Sequence, residues 1–142
     1  MEKKENLIVD RSFDFALHVI HLYKIMILKN EYVLSKQMLR SGTSIGANVE
    51  EAVSAHSTKD FIARMIIALK EARETRYWLR LIDRSKLVQE EISPYINESE
   101  DIVHILTAII NTTKKKLSIP LKIYFFFFTF FIQFYLYQTK IA

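Results

Sequence analysis

Apolar residues recur every three or four positions between residues 11 and 116, a spacing that predicts helices and leaves no run of strand alternation. In the first segment Phe13, Ala16, Ile20, Tyr23 and Ile27 form one stripe, with Phe15, Val19, Leu22 and Met26 beside it. Asp10 or Ser12 is the expected N-cap, and Asn30 stands where the helix should stop. Ser35 is the candidate cap of a second helix, whose seam runs through Met38, Gly42, Ile45, Val49, Ala52 and His56. Ser57 to Asp60 resembles a capping box with Asp in place of the usual Glu. Phe61, Met65, Ala68, Ala72, Thr75, Leu79 and Ile82 then trace the seam of a third helix. Ser93 and Pro94 suit an N-cap and first helical position, where the missing proline N–H is harmless. Tyr95, Ser99, Ile102, Leu106, Ile109 and Thr113 continue the fourth helix, which should end at Lys114–Lys116.

Short connections make consecutive helices antiparallel neighbours. The expected fold is therefore all-α: an antiparallel up-down four-helix bundle over residues 1–116, followed by a hydrophobic tail at 117–142. With 2 Gly and 2 Pro in 142 residues, long helices are favoured over a turn-rich β fold. There are no cysteines, which excludes disulfide staples, thiolate zinc sites and a Cys nucleophile.

The tail changes the picture. Leu121 to Tyr137 holds 10 of the 18 aromatic residues, including Phe125 to Phe128, and carries no charge from Ile123 onward. As a helix, that uncharged run spans about 22 Å, short of a bilayer core of roughly 30 Å. Three readings stay open: a non-native end such as frameshifted translation of AT-rich sequence, a short membrane anchor flanked by Lys114–Lys116, or packing on the bundle or a partner. The charged start, Met1 to Asn6, and the short apolar run behind it predict no secretory leader. The expected location is cytoplasmic, with tail-anchoring at the inner membrane as the alternative.

Net charge is +4, but without Lys122 and Lys140 of the tail the chain holds 18 basic against 16 acidic residues. Attraction to nucleic acid must then come from charge arrangement rather than bulk charge. Arg73, Arg76, Arg80 and Arg84 share one side of the third helix, and the same ridge begins with Ile62, Ile66 and Leu69. The arginines are candidate phosphate contacts, because guanidinium groups pair bidentately with phosphate. The competing reading is a solvated charged face with partners such as Glu74 and Asp83. The apolar half is a candidate oligomer interface, or simply a broad buried face.

No catalytic or nucleotide-binding motif occurs, so the sequence points away from an enzyme and calls for no cofactor. Asp101-x-x-His104 has no second copy, and His18, His21 and His56 stand apart, so no metal site is expected. Gly42 and Gly46 lie one turn apart among Ser41, Thr43, Ser44 and Ala47, a face suited to close helix approach. An anion cradle is the weaker reading, since no strand precedes it. Asn48, Glu50 and Glu51 are candidates to hold Arg40 or Arg73 across the helix pair.

Two long segments carry a family resemblance: Leu39-Arg-Ser-Gly-Thr-Ser-Ile-Gly-Ala-Asn-Val-Glu-Glu-Ala52 and Ile67-Ala-Leu-Lys-Glu-Ala-Arg-Glu-Thr-Arg-Tyr-Trp-Leu79. Together with Ser12-Phe-Asp-Phe-Ala16 and Asp60-Phe-Ile62, they make residues 7–116 resemble the 23S rRNA intervening-sequence proteins. The resemblance implies an up-down bundle, ring-like pentamers, no enzyme activity and a suspected link to RNA. The chain is also similar to the basic accessory proteins of diversity-generating retroelements. Within the matching segments the basic candidates are Arg40, Arg73 and Arg76, and the aromatic tail departs from the family pattern. The functional expectation is a non-enzymatic homo-oligomer that contacts structured RNA or a ribonucleoprotein through Arg40, Arg73, Arg76, Arg80 and Arg84. The alternative is a protein–protein adaptor with no nucleic-acid role.

Overall fold

The computed structural model of the chain describes the backbone of residues 7–138 and the side chains of residues 7–118 and of Thr129. Met1 to Asn6 and Lys140, used above for charge, lie outside the described residues. Four helices and no strand are present among those described: α1 (Leu7–Leu28), α2 (Leu34–Val53), α3 (Thr58–Ser85) and α4 (Ser93–Gln138). The chain divides into two compact units, Met1–Ile110 and Asn111–Ala142. The first is the all-α, antiparallel four-helix bundle.

Cross-helix contacts fix its order. Gly42 and Gly46 of α2 face Val19 and Ser12 of α1. Arg40 and Glu51 of α2 pair with Glu74 and Arg64 of α3. Glu100 of α4 meets Arg76, while Glu98 and Asp101 meet His18 and Arg11 of α1. Between α1 and α2, α2 and α3, and α1 and α4 the paired residue numbers run in opposite senses, so α3 and α4 are antiparallel as well and the bundle closes on itself.

The core of the bundle is apolar and continuous. Phe15, Val19, Leu22 and Met26 of α1 meet Met38, Ile45 and Val49 of α2, the α3 seam from Met65 to Ile82, and Ile102, Leu106 and Ile110 of α4. The third-helix seam is buried as its spacing predicts, apart from the partly buried Phe61. The first-helix face is rotated from the expected one. Its buried line runs through Ile8, Ser12, Phe15, Val19, Leu22 and Met26, and Phe13 is 60% exposed. A wide apolar face has no unique centre by spacing alone, and packing selects one. On α2 the seam ends at Ala52, because the helix stops at Val53 and His56 is exposed. On α4 Ile110 is buried where the spacing favoured Ile109, which is partly buried.

Several ends differ from the sequence reading. α1 is already helical at Leu7, so Asp10 and Ser12 cap nothing; Ser12 is buried, and its hydroxyl donates to the Val9 carbonyl. Asn30 does lie at the stop, with φ 61°, a left-handed conformation that Asn tolerates better than most residues. Ser35 is not the α2 cap. Glu31 is: its carboxylate accepts the backbone N–H groups of Val33, Leu34 and Ser35 at 3.1, 2.9 and 2.7 Å. The Ser35 hydroxyl donates back to the Glu31 carbonyl at 2.7 Å. Burial is the largest single influence on the Glu31 carboxyl and pushes it up, but these hydrogen bonds together hold it below the ordinary value.

Ser57 caps α3 as expected, accepting from the Asp60 N–H at 3.1 Å, while the Asp60 carboxylate lies 3.8 Å from Arg64. α4 starts at Ser93, whose hydroxyl donates to Glu91 rather than capping the helix. It also passes Lys114–Lys116 without ending and continues to Gln138. Among the described residues no helix is long and apolar enough to cross a membrane.

Gly42 is required by proximity. A Cβ there would fall 2.7 and 2.9 Å from the two Val19 methyls, whereas one on Gly46 would sit 3.4 Å from the Ser12 carbonyl oxygen. The two-glycine segment is thus a close-packing face between α1 and α2.

Candidate nucleic-acid interface

The arginine row of α3 lies on the flank that turns toward α4. Arg76, Arg80 and Arg84, with Asp83 and with Ile96 and Glu100 of α4, line a hollow of about 480 Å³. Helix periodicity puts these residues together: positions 76, 80 and 84 are successive turns of α3, and 96 and 100 are successive turns of α4. The antiparallel register brings Arg84 beside the start of α4 and Arg76 beside Glu100.

The five arginines proposed from sequence separate into two groups. Arg76 donates to Glu100 at 3.1 Å. Arg40 pairs with Glu74 and lies 3.7 Å from Glu71. Both are held by carboxylates of the same chain. By contrast, Arg73, Arg80 and Arg84 have no ion-pair partner among the described residues, and all three are exposed. Asp83, the nearest acid along the helix, pairs with Lys86 Nζ at 3.4 Å. Charge in the hollow therefore balances at Arg76 with Glu100 and at Asp83 with Lys86, leaving Arg80 and Arg84 uncompensated. Three exposed guanidinium groups spread along about 16 Å of helix axis can each take a phosphate oxygen without breaking an existing pair.

The seam between α2 and α3 holds a polar network that spacing did not reveal. Arg40 bridges Glu71 and Glu74, and the Trp78 indole N–H donates to Glu74 at 3.2 Å. Trp78 meets the Tyr77 ring edge-on, with centroids 4.9 Å apart. Of the three residues expected to hold Arg40 or Arg73, Glu51 pairs with Arg64, the Asn48 amide donates to the Ser44 carbonyl, and Glu50 is exposed with no ion pair to either arginine among the described residues. A usable signal was present, because Glu71, Glu74 and Trp78 flank the seam residue Thr75, whose hydroxyl donates to Ser41 of α2. Glu100 was also missed, since only the antiparallel register puts it beside Arg76.

The apolar half of the α3 ridge is turned largely inward. Ile62 is 7% exposed, and Ile66 and Leu69 are partly buried against the core. Larger apolar exposure occurs on α1, at Phe13 and Leu17, one turn apart and 60% and 50% exposed. Among the described residues no three His, Asp or Glu side chains gather as a metal site, and Asp101, which precedes His104 by one turn, pairs with Arg11. His18 Nδ1 lies 2.8 Å from Glu98, and His21, His56 and His104 are exposed.

The fold agrees with comparisons to known proteins. The family model described as 23S rRNA-intervening sequence protein matches residues 4–108. Among solved structures, the chain is similar to a protein of unknown function from the S23 ribosomal protein family of Bacteroides thetaiotaomicron VPI-5482. The two are 47% identical, with a TM-score of 0.70, over 72% of this chain and 97% of that one. No curated protein matches the chain. It belongs to the 23S rRNA-intervening sequence protein family.

Proposed function

We propose that this protein is a non-enzymatic helical scaffold that assembles with copies of itself and binds structured RNA, or a ribonucleoprotein, through the α3 arginines. The observation that carries the reading is the contrast among those arginines: Arg73, Arg80 and Arg84 stand exposed without a carboxylate partner among the described residues, whereas Arg40 and Arg76 are paired. The family's name, which refers to sequences intervening in 23S rRNA, supports RNA as the class of partner. Binding of this kind rests on phosphate contacts and helical shape rather than base identity. Self-association draws its support from Phe13 and Leu17, an exposed apolar pair on α1.

The test is a double substitution, Arg73→Glu with Arg80→Glu, assayed by fluorescence anisotropy on a labelled structured RNA. Affinity is lost while the circular-dichroism melt stays nearly unchanged, because neither residue supports the core. Unchanged affinity contradicts the arginine assignment. The same α1 pair favours a second reading, a protein–protein adaptor with no nucleic-acid role. In that case Leu17→Asp breaks the partner complex and the double arginine substitution does nothing.

A further inference from the structure

The aromatic end of α4 poses a separate problem, because the backbone stays helical through Gln138 while the sequence offers that helix only a narrow polar stripe, Ser118, Lys122, Thr129 and Gln133, within about 60° of one another. Consecutive helical positions lie 100° apart, so Phe125 to Phe128 spread around the rest of the cylinder, outside that stripe. A helix laid against a bundle needs one apolar stripe and keeps a broad polar face toward water; a helix apolar over most of its circumference needs an apolar medium. The family match ends at residue 108, and the aromatic run lies beyond it.

Charge around the run is of one sign. Lys114, Lys115 and Lys116 precede it, exposed, and Lys122 and Lys140 bracket it, with no acidic residue after Asp101. Tyrosines stand near both edges, Tyr124 on one side and Tyr135 and Tyr137 on the other, with phenylalanines between. Tyrosine and lysine are side chains that suit a lipid–water boundary, the first with an amphipathic ring and the second with a charged end. The uncharged run is about 22 Å long as a helix, short of the roughly 30 Å hydrocarbon core. We propose that the Leu117–Gln138 part of α4 embeds in a lipid bilayer with anionic headgroups, anchoring the protein without spanning the membrane. The flanking lysines meet the headgroup phosphates.

The test is flotation of the full chain, synthesised in the presence of vesicles, on phosphatidylcholine alone and on phosphatidylcholine with phosphatidylglycerol. The full chain floats with the anionic vesicles. Phe126→Asp with Phe130→Asp lowers the floated fraction roughly tenfold or more. Substituting Lys114, Lys115 and Lys116 by Glu lowers it several-fold on anionic vesicles and leaves the neutral ones unaffected. A circular-dichroism melt checks that each variant keeps the bundle, and flotation separates lipid binding from aggregation because aggregates sink. A full chain that stays at the bottom of the gradient, or a phenylalanine variant that floats as well as the parent, overturns the anchor. A lysine variant that binds anionic vesicles like the parent overturns the headgroup contact.

Discussion

Arg76 reaches across the seam between α3 and α4 to donate to Glu100 at 3.1 Å, while Arg80, one turn further along α3, has no carboxylate partner among the described residues. That difference divides the arginine row into a structural member and members available to a ligand. Glu100→Gln removes a negative charge from the hollow and releases Arg76, so RNA affinity rises roughly two- to fivefold, the range of one exposed ion pair. Stability falls by less than about 1 kcal/mol, because the pair is largely solvated. Anisotropy titrations of parent and variant measure the change. An affinity that stays level or falls contradicts the placement of the phosphate contacts in this hollow.

The two glycines of α2 respond differently to the same substitution. At Gly42 an added methyl collides with Val19, a β-branched side chain that a helix holds stiffly, so Gly42→Ala destabilises by about 1–3 kcal/mol despite the better helix propensity of Ala. At Gly46 the methyl meets ordinary contact distance, and Gly46→Ala is neutral or stabilising by up to about 1 kcal/mol. Urea unfolding of the two variants measures the difference. Equal effects contradict the close approach at Val19.

Glu31 makes α2 sensitive to acid. Its folded-state carboxyl titrates below the ordinary value of 4.5, so its stabilising contribution is complete above that pH and is lost as pH falls through the lower folded value. Glu31→Ala lowers stability by about 1 kcal/mol at neutral pH, as for loss of a helix cap, and the gap between parent and variant closes on acidification below 4.5. Thermal melts across that range check it. A gap that persists in acid contradicts the role of the ionised carboxylate.

The bundle was legible from spacing because an α-helix repeats so regularly that Met65, Ala68, Ala72, Thr75, Leu79 and Ile82 can share only one face. The ends were less legible. Ser12 and Ser35 have cap chemistry, yet each hydroxyl bonds a preceding carbonyl, and the cap of α2 comes from Glu31, outside the helix by sequence. A short polar side chain serves an N-cap or a helix interior equally well, and tertiary packing selects between them. The arginine row was legible as a row, since all its members lie on one helix. Which members are paired was not, because Glu100, Glu71 and Glu74 come beside Arg76 and Arg40 only once the helices have their register.

The most direct test of the scaffold reading is size-exclusion chromatography with light scattering, with and without structured bacterial RNA, at low and high salt. The account predicts a multimer that takes up RNA at low salt and releases it at high salt. Three arginine–phosphate contacts give a slope of log K against log salt of about −2 to −3. A monomer, or a multimer whose mass is the same with and without RNA at low salt, would contradict it.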